Sequence, residues 1–178
     1  MRIALVALAL CAAMRGQPSQ LERQTAILAE VGRLQAQAKA AYEREMAREK
    51  AAEAGVTCPS ANDTGAIIRC LAGEISTTRA NFREFAGAIR SILSLKGADA
   101  KDTVLGPTGQ TSSREEDLKA FDDAASAWEK FSNAQCDATY RFYRGGSMGS
   151  IQTATCELLL LGSRMRDMNY LYAGLLLH

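Results

Sequence analysis

The stretch Cys136-Asp-Ala-Thr-Tyr-Arg-Phe-Tyr-Arg-Gly-Gly-Ser-Met-Gly-Ser-Ile-Gln-Thr-Ala-Thr-Cys156 constrains the fold more than any other. It places one sulfur on each side of a Gly-Gly-Ser turn, with helix-compatible sequence on both arms. Cys136 lies roughly eight residues before the turn and Cys156 roughly six after its close. At about 1.5 Å of rise per helical residue, each sulfur is about 10 Å from the turn. Two antiparallel helices joined there bring the sulfurs level, and a Cys136–Cys156 bridge follows. Cys58 and Cys70, separated by 11 residues, are placed to staple the start of the next helix. Four cysteines allow three pairings, and this choice among them rests on geometry alone.

The remaining cysteine, Cys11, lies in Met-Arg-Ile-Ala-Leu-Val-Ala-Leu-Ala-Leu-Cys-Ala-Ala. Arg2 followed by an apolar run and small residues has the order of an export signal, too short to span a bilayer. Residues 1–16 are assigned to that leader, and cleavage after Ala13 fits it. Leu10 stands where a lipoprotein signal requires a small residue, so a periplasmic or secreted protein is expected rather than a lipid-anchored one. Without the leader an even four cysteines remain, the arithmetic of a disulfide framework in an exported chain. Spacings of 11 and 19 do not resemble the close pairs of structural zinc, and no Cys-X-X-Cys is present.

Proline is scarce, at 3 of 178 residues, and the chain is 47% hydrophobic. The expected fold is all-α: a small antiparallel helical bundle stapled by two disulfides and preceded by a long N-terminal helix. That helix takes residues 17–55, with Ile27, Val31, Leu34, Ala38 and Ala41 on one face. Its later part, Tyr-Glu-Arg-Glu-Met-Ala-Arg-Glu-Lys, reads as a solvated surface; a coiled coil with a second chain is the other reading. The helical domain takes residues 56–178, with a short helix over Ala66–Ala72 and a longer one from Glu74 to Leu95. Residues 96–113, rich in glycine and small polar side chains, form a flexible loop. A helix capped by Ser112 or Ser113 follows, with Glu115 or Glu116 completing a capping box, and runs to Gly145 and Gly146. The last helix starts near Ser150. Phe82, Phe85, Phe121, Trp128 and Phe131 are expected in the core; Trp128 as a ligand platform is the alternative.

The net charge of +1 argues against nucleic acid as the main partner. The single histidine, His178, ends the chain, and no nucleophile-elbow, zinc-protease or phosphate-loop motif occurs. No catalytic residue, metal site or cofactor is assigned.

From Trp128 to Arg164 the sequence resembles the LprI-like family. The resemblance rests on Trp128, Cys136, Gly145, Gly146, Ser147, Cys156, Leu160 and Arg164, with Cys58 and Cys70 as the upstream pair and Asn81 at a Leu-Asn position where Ala80 replaces the leucine. It covers roughly Thr57 to Leu171. Ser132 and Leu161 depart from the pattern, and the loop before Ser112 is expanded. The resemblance implies a small helical protein of the bacterial envelope, and lysozyme as a protein partner, since at least one family member inhibits it.

An inhibitor of that kind must block a cleft lined by two carboxylates. Arg144, Gly145, Gly146 and Ser147 are the candidate partner-binding residues: a cation, two positions that permit close backbone approach, and a hydroxyl. A plain interhelix turn is the competing reading of the same residues. A structural protein that forms homo-oligomers through its N-terminal helix is the alternative function.

Overall fold

In a computed structural model the described residues are 19–53, 58, 63–95, 104–105 and 111–176. The chain is helical: α1 (Gln20–Glu53), α2 (Thr64–Ser94), α3 (Arg114–Phe142), α4 (Gly146–Leu171) and a one-turn α5 (Ala173–Leu176). Between α2 and α3, β1 (Val104–Leu105) pairs antiparallel with β2 (Thr111–Ser112). The rest of the expected flexible loop, and the export leader, lie outside the described residues. Among the described residues no helix is long and apolar enough to cross a membrane.

Local chemistry sets the helix starts. Asp63 accepts the amide of Ala66 at 2.8 Å and caps α2. Ser113 and Glu116 form the reciprocal capping box of α3, at 3.2 and 2.7 Å, which selects Ser113 and Glu116 from the candidates the sequence offered. The short and long helices expected on either side of Gly73 are one continuous α2. Gly73 has neither a proline nor a cap beside it, and a lone mid-helix glycine costs only about 1 kcal/mol.

Helices α2 and α4 are central, with α1 against α2 and α3 against α4. The core gathers Leu34, Ala38 and Ala41 of α1, Phe85, Ala88, Ile89 and Ile92 of α2, Phe121 of α3, and Met165 and Met168 of α4. Tyr172 closes it, edge-on to Phe121 at 5.6 Å.

Two expectations are corrected. Phe131 is 55% exposed, not core. Phe121, Ala125, Trp128, Ser132 and Cys136 define the inward arc of α3, and at 100° per residue Phe131 falls roughly 100° from its middle. Phe82 and Trp128 are half-buried and pack on each other at 5.4 Å. The charged second half of α1 is not merely a solvated surface, because Glu45 is fully buried there. Its carboxylate accepts from Thr78 Oγ1 at 3.1 Å, Asn81 Nδ2 at 3.1 Å and Arg48 Nε at 2.8 Å. Both carboxylate oxygens are thereby hydrogen-bonded, as a buried polar group requires. Burial pulls the Arg48 guanidinium down, yet the bonds and charges of Glu45 and Glu74 outweigh it and hold Arg48 above its ordinary value. Asn81 also accepts from Arg44 at 3.1 Å, so this one amide ties α2 to two consecutive residues of α1. Further along, α1 meets α4 where Glu49 lies over buried Gly162 and pairs with Arg166.

Candidate functional site

The distal halves of α3 and α4 leave the core as a two-helix hairpin. Little is buried along it: Cys136 and Gly149 are covered, while Phe142, Tyr143 and Met148 are 79%, 40% and 53% exposed. The hairpin is held covalently by Cys136–Cys156, with Cα atoms 5.6 Å apart. The second bridge, Cys58–Cys70, spans 5.8 Å and pins the chain before α2 to its first turns. Both expected pairings are present, and Cys58, Cys70, Cys136 and Cys156 are all committed to disulfides.

The turn differs from the expected glycine stop. Helix α3 ends at Phe142, and the first left-handed residue is Arg144, at φ 56°. The amide of Gly145 donates to the Tyr140 carbonyl at 3.1 Å, and that of Arg144 to the Arg141 carbonyl at 2.9 Å. These are the two bonds of a Schellman motif, whose left-handed position is usually glycine. Here it is an arginine, at a cost of about 1–2 kcal/mol for an L-residue. Gly145 and Gly146 follow at φ 74° and 70° and reverse the chain. A Cβ on Gly145 would lie 3.1 Å from the Tyr140 hydroxyl, and one on buried Gly149 would lie 3.1 Å from the Tyr140 ring. Tyr140 thus wedges the two helices apart at the tip, and the glycines make room for it.

The four predicted partner-binding residues therefore sit together at the end of the hairpin. Arg144, Gly146 and Ser147 are exposed and Gly145 is half-buried. Among the described residues Arg144 forms no ion pair, whereas Arg141, one turn earlier, is bonded to Asp137 at 2.9 Å. The sequence reading missed the apolar side chains around it. Phe142 and Tyr143 pack edge-on at 5.2 Å beside Arg144, with Met148 one turn into α4. The signal was present in Tyr-Arg-Phe-Tyr-Arg, where aromatics outnumber what a two-helix arm can bury.

A second feature lies nearer the core. Residues of α2, α3 and α4 line a cleft of about 780 Å3. Phe82 and Trp128 form its aromatic wall, Cys136 contributes sulfur, and Arg83 and Arg164 bring cations from α2 and α4. At its edge Arg90 holds Asp122 through two bonds of 2.8 Å, which keep the Asp122 carboxyl below its ordinary value. Arg79 pairs with Glu157 across it.

Two long helices against a flanking pair, stapled by two disulfides and presenting an aromatic-rich tip, define a small helical scaffold whose disulfides fit an exported protein. The family described as lysozyme inhibitor LprI matches residues 57–168, and the chain belongs to that family. Trp128, Cys136, Cys156 and Arg164, on which the resemblance rested, line the cleft or staple the hairpin. No curated protein and no solved structure matches the chain. Helix α1 precedes the family match, yet its Glu45 is bonded to Thr78 and Asn81 inside it.

Proposed function

We propose that this protein is an exported, non-enzymatic inhibitor that acts on a lysozyme of the envelope or its surroundings through the tip of the α3–α4 hairpin. The observation that carries the reading is Arg144. It is an exposed cation, without a carboxylate partner among the described residues, in a left-handed conformation that glycine would adopt at lower cost. Phe142, Tyr143 and Met148 surround it with the residue types enriched at protein interfaces. The Cys136–Cys156 bridge restricts the arm before binding, which lowers the entropy lost on association. Arg144 then faces the two catalytic carboxylates of a muramidase, where opposite charges attract in a desolvated cleft.

A turbidity assay with lysozyme tests this. Arg144→Glu weakens inhibition about 30-fold, or about 2 kcal/mol, because attraction becomes repulsion. Wild-type protein that leaves lysozyme unaffected rejects the target. Inhibition that survives the substitution moves the contact off the tip.

A second reading rests on α1. Leu21 and Leu28, seven residues apart on one face, are each 72% exposed. They suit pairing with the same helix of another copy, and light scattering on the mature protein distinguishes a dimer from a monomer.

A further inference from the structure

The cleft between α2, α3 and α4 has a charge balance that the hairpin does not use. Asp122 is taken by Arg90 and Glu157 by Arg79. That leaves Arg83 and Arg164 without an ion pair among the described residues, against the single unpaired anion Glu129. Two cations facing one anion favour an anionic guest. A planar guanidinium binds a carboxylate in a two-pronged fashion, which gives direction as well as attraction.

The walls decide what carries that carboxylate. Nine of the seventeen lining side chains are charged or polar, among them Asn133 and Ser132. An acyl chain would leave these groups without hydrogen bonds, at a cost for each. The remaining lining is apolar, with the Phe82–Trp128 pair as its aromatic face beside Phe121, Leu161 and Met168. The electron-rich face of an indole attracts the polarised C–H face of a pyranose, while amide and carboxylate groups bond the ring hydroxyls. A volume near 780 Å3 is in the range of small-ligand sites and holds more than one sugar ring.

We propose that this cleft binds an acidic saccharide, a short oligomer of carboxylate-bearing pyranoses, with its carboxylate on Arg83 and Arg164 and a ring face on Trp128. The inference does not rest on lysozyme inhibition and is measured without it.

Trp128 is the only tryptophan in the chain, so its fluorescence reports the site directly. The probes are digalacturonic acid, its dimethyl ester and laurate. The acid changes Trp128 emission in a saturable way. The ester, which keeps the rings and loses the charges, binds at least tenfold more weakly. Arg83→Gln and Arg164→Gln each weaken the acid at least tenfold, with helical circular dichroism unchanged. Arg83 is exposed and makes no ion pair among the described residues, so its variant keeps the fold and carries the test by itself. Equal binding of acid and ester overturns the proposal, as does wild-type strength in Arg83→Gln. Preference for laurate overturns it in favour of an acyl site. Absence of both an emission change and calorimetric heat with the acid overturns it outright.

Discussion

The two helix pairs of this molecule are held together by different physics. Helices α1 and α2 share a buried, fully bonded polar cluster around Glu45, with no disulfide between the two helices. The distal halves of α3 and α4 bury little more than Cys136 and Gly149 and depend on a disulfide. A buried ion network is stable only when complete, so it tolerates no loss of a partner. A disulfide needs no core, and it leaves the surrounding side chains free to face outward. The hairpin can therefore expose Phe142, Tyr143 and Met148 without fraying.

The largest effect is expected between α1 and α2. Glu45→Ala removes the acceptor from Thr78, Asn81 and Arg48 and costs about 3–5 kcal/mol in denaturant melts. Phe85→Ala costs a similar amount through its cavity, whereas Phe131→Ala stays within about 0.5 kcal/mol. A loss under about 1 kcal/mol for Glu45→Ala would show that the cluster does not lock α1 to the bundle.

Next in size is the staple. Replacing Cys136 and Cys156 together by serine costs about 3 kcal/mol for a closed loop of this length. Inhibition should fall further than the melting temperature predicts, because the tip loses its preorganisation. Equal loss in both readouts would mean that the bridge serves stability alone.

The third test reverses the sign. Arg144→Gly relieves a left-handed arginine and raises stability by about 1 kcal/mol, while removing the proposed contact with lysozyme. A variant that is both more stable and fully inhibitory would return the tip to an ordinary turn.

The smallest effect is electrostatic. The hydrogen bond from Arg90 lowers the folded Asp122 carboxyl below its ordinary 3.8, and the bonds from Ser113 do the same for Glu116 below 4.5. A carboxylate lowered on folding adds stability above its unfolded value, and that part is lost as pH falls through the folded value. Asp122→Asn should lower the melting temperature slightly at pH 6 and not at pH 2. Both groups are solvent-exposed, so the shift is small.

Much of the architecture was legible. Apolar spacing placed Leu34, Ala38 and Ala41 on one face of α1, and the Ser113–Glu116 box set the start of α3. The arms on either side of Gly-Gly-Ser fixed which sulfurs meet. Periodicity failed where chemistry overrode hydrophobicity. Glu45 looked like surface because a lone carboxylate belongs there, and only Thr78 and Asn81, more than thirty residues on, make its burial affordable. Phe131 looked like core because an aromatic near Trp128 suggests a shared face, though its angle on the helix does not. The cleft was illegible for the same reason as Glu45, since Arg83, Trp128 and Arg164 come from three helices.

The sequence by itself determined what is local: helix content, caps, the turn and the even set of cysteines, because those depend on neighbours within a few residues. The tertiary structure decided the rest. It buried the Glu45 carboxylate and left Arg144 exposed, without an ion pair among the described residues, at a left-handed turn. Both outcomes depend on which helices meet, and burial and charge pairing are properties of that meeting rather than of any single segment.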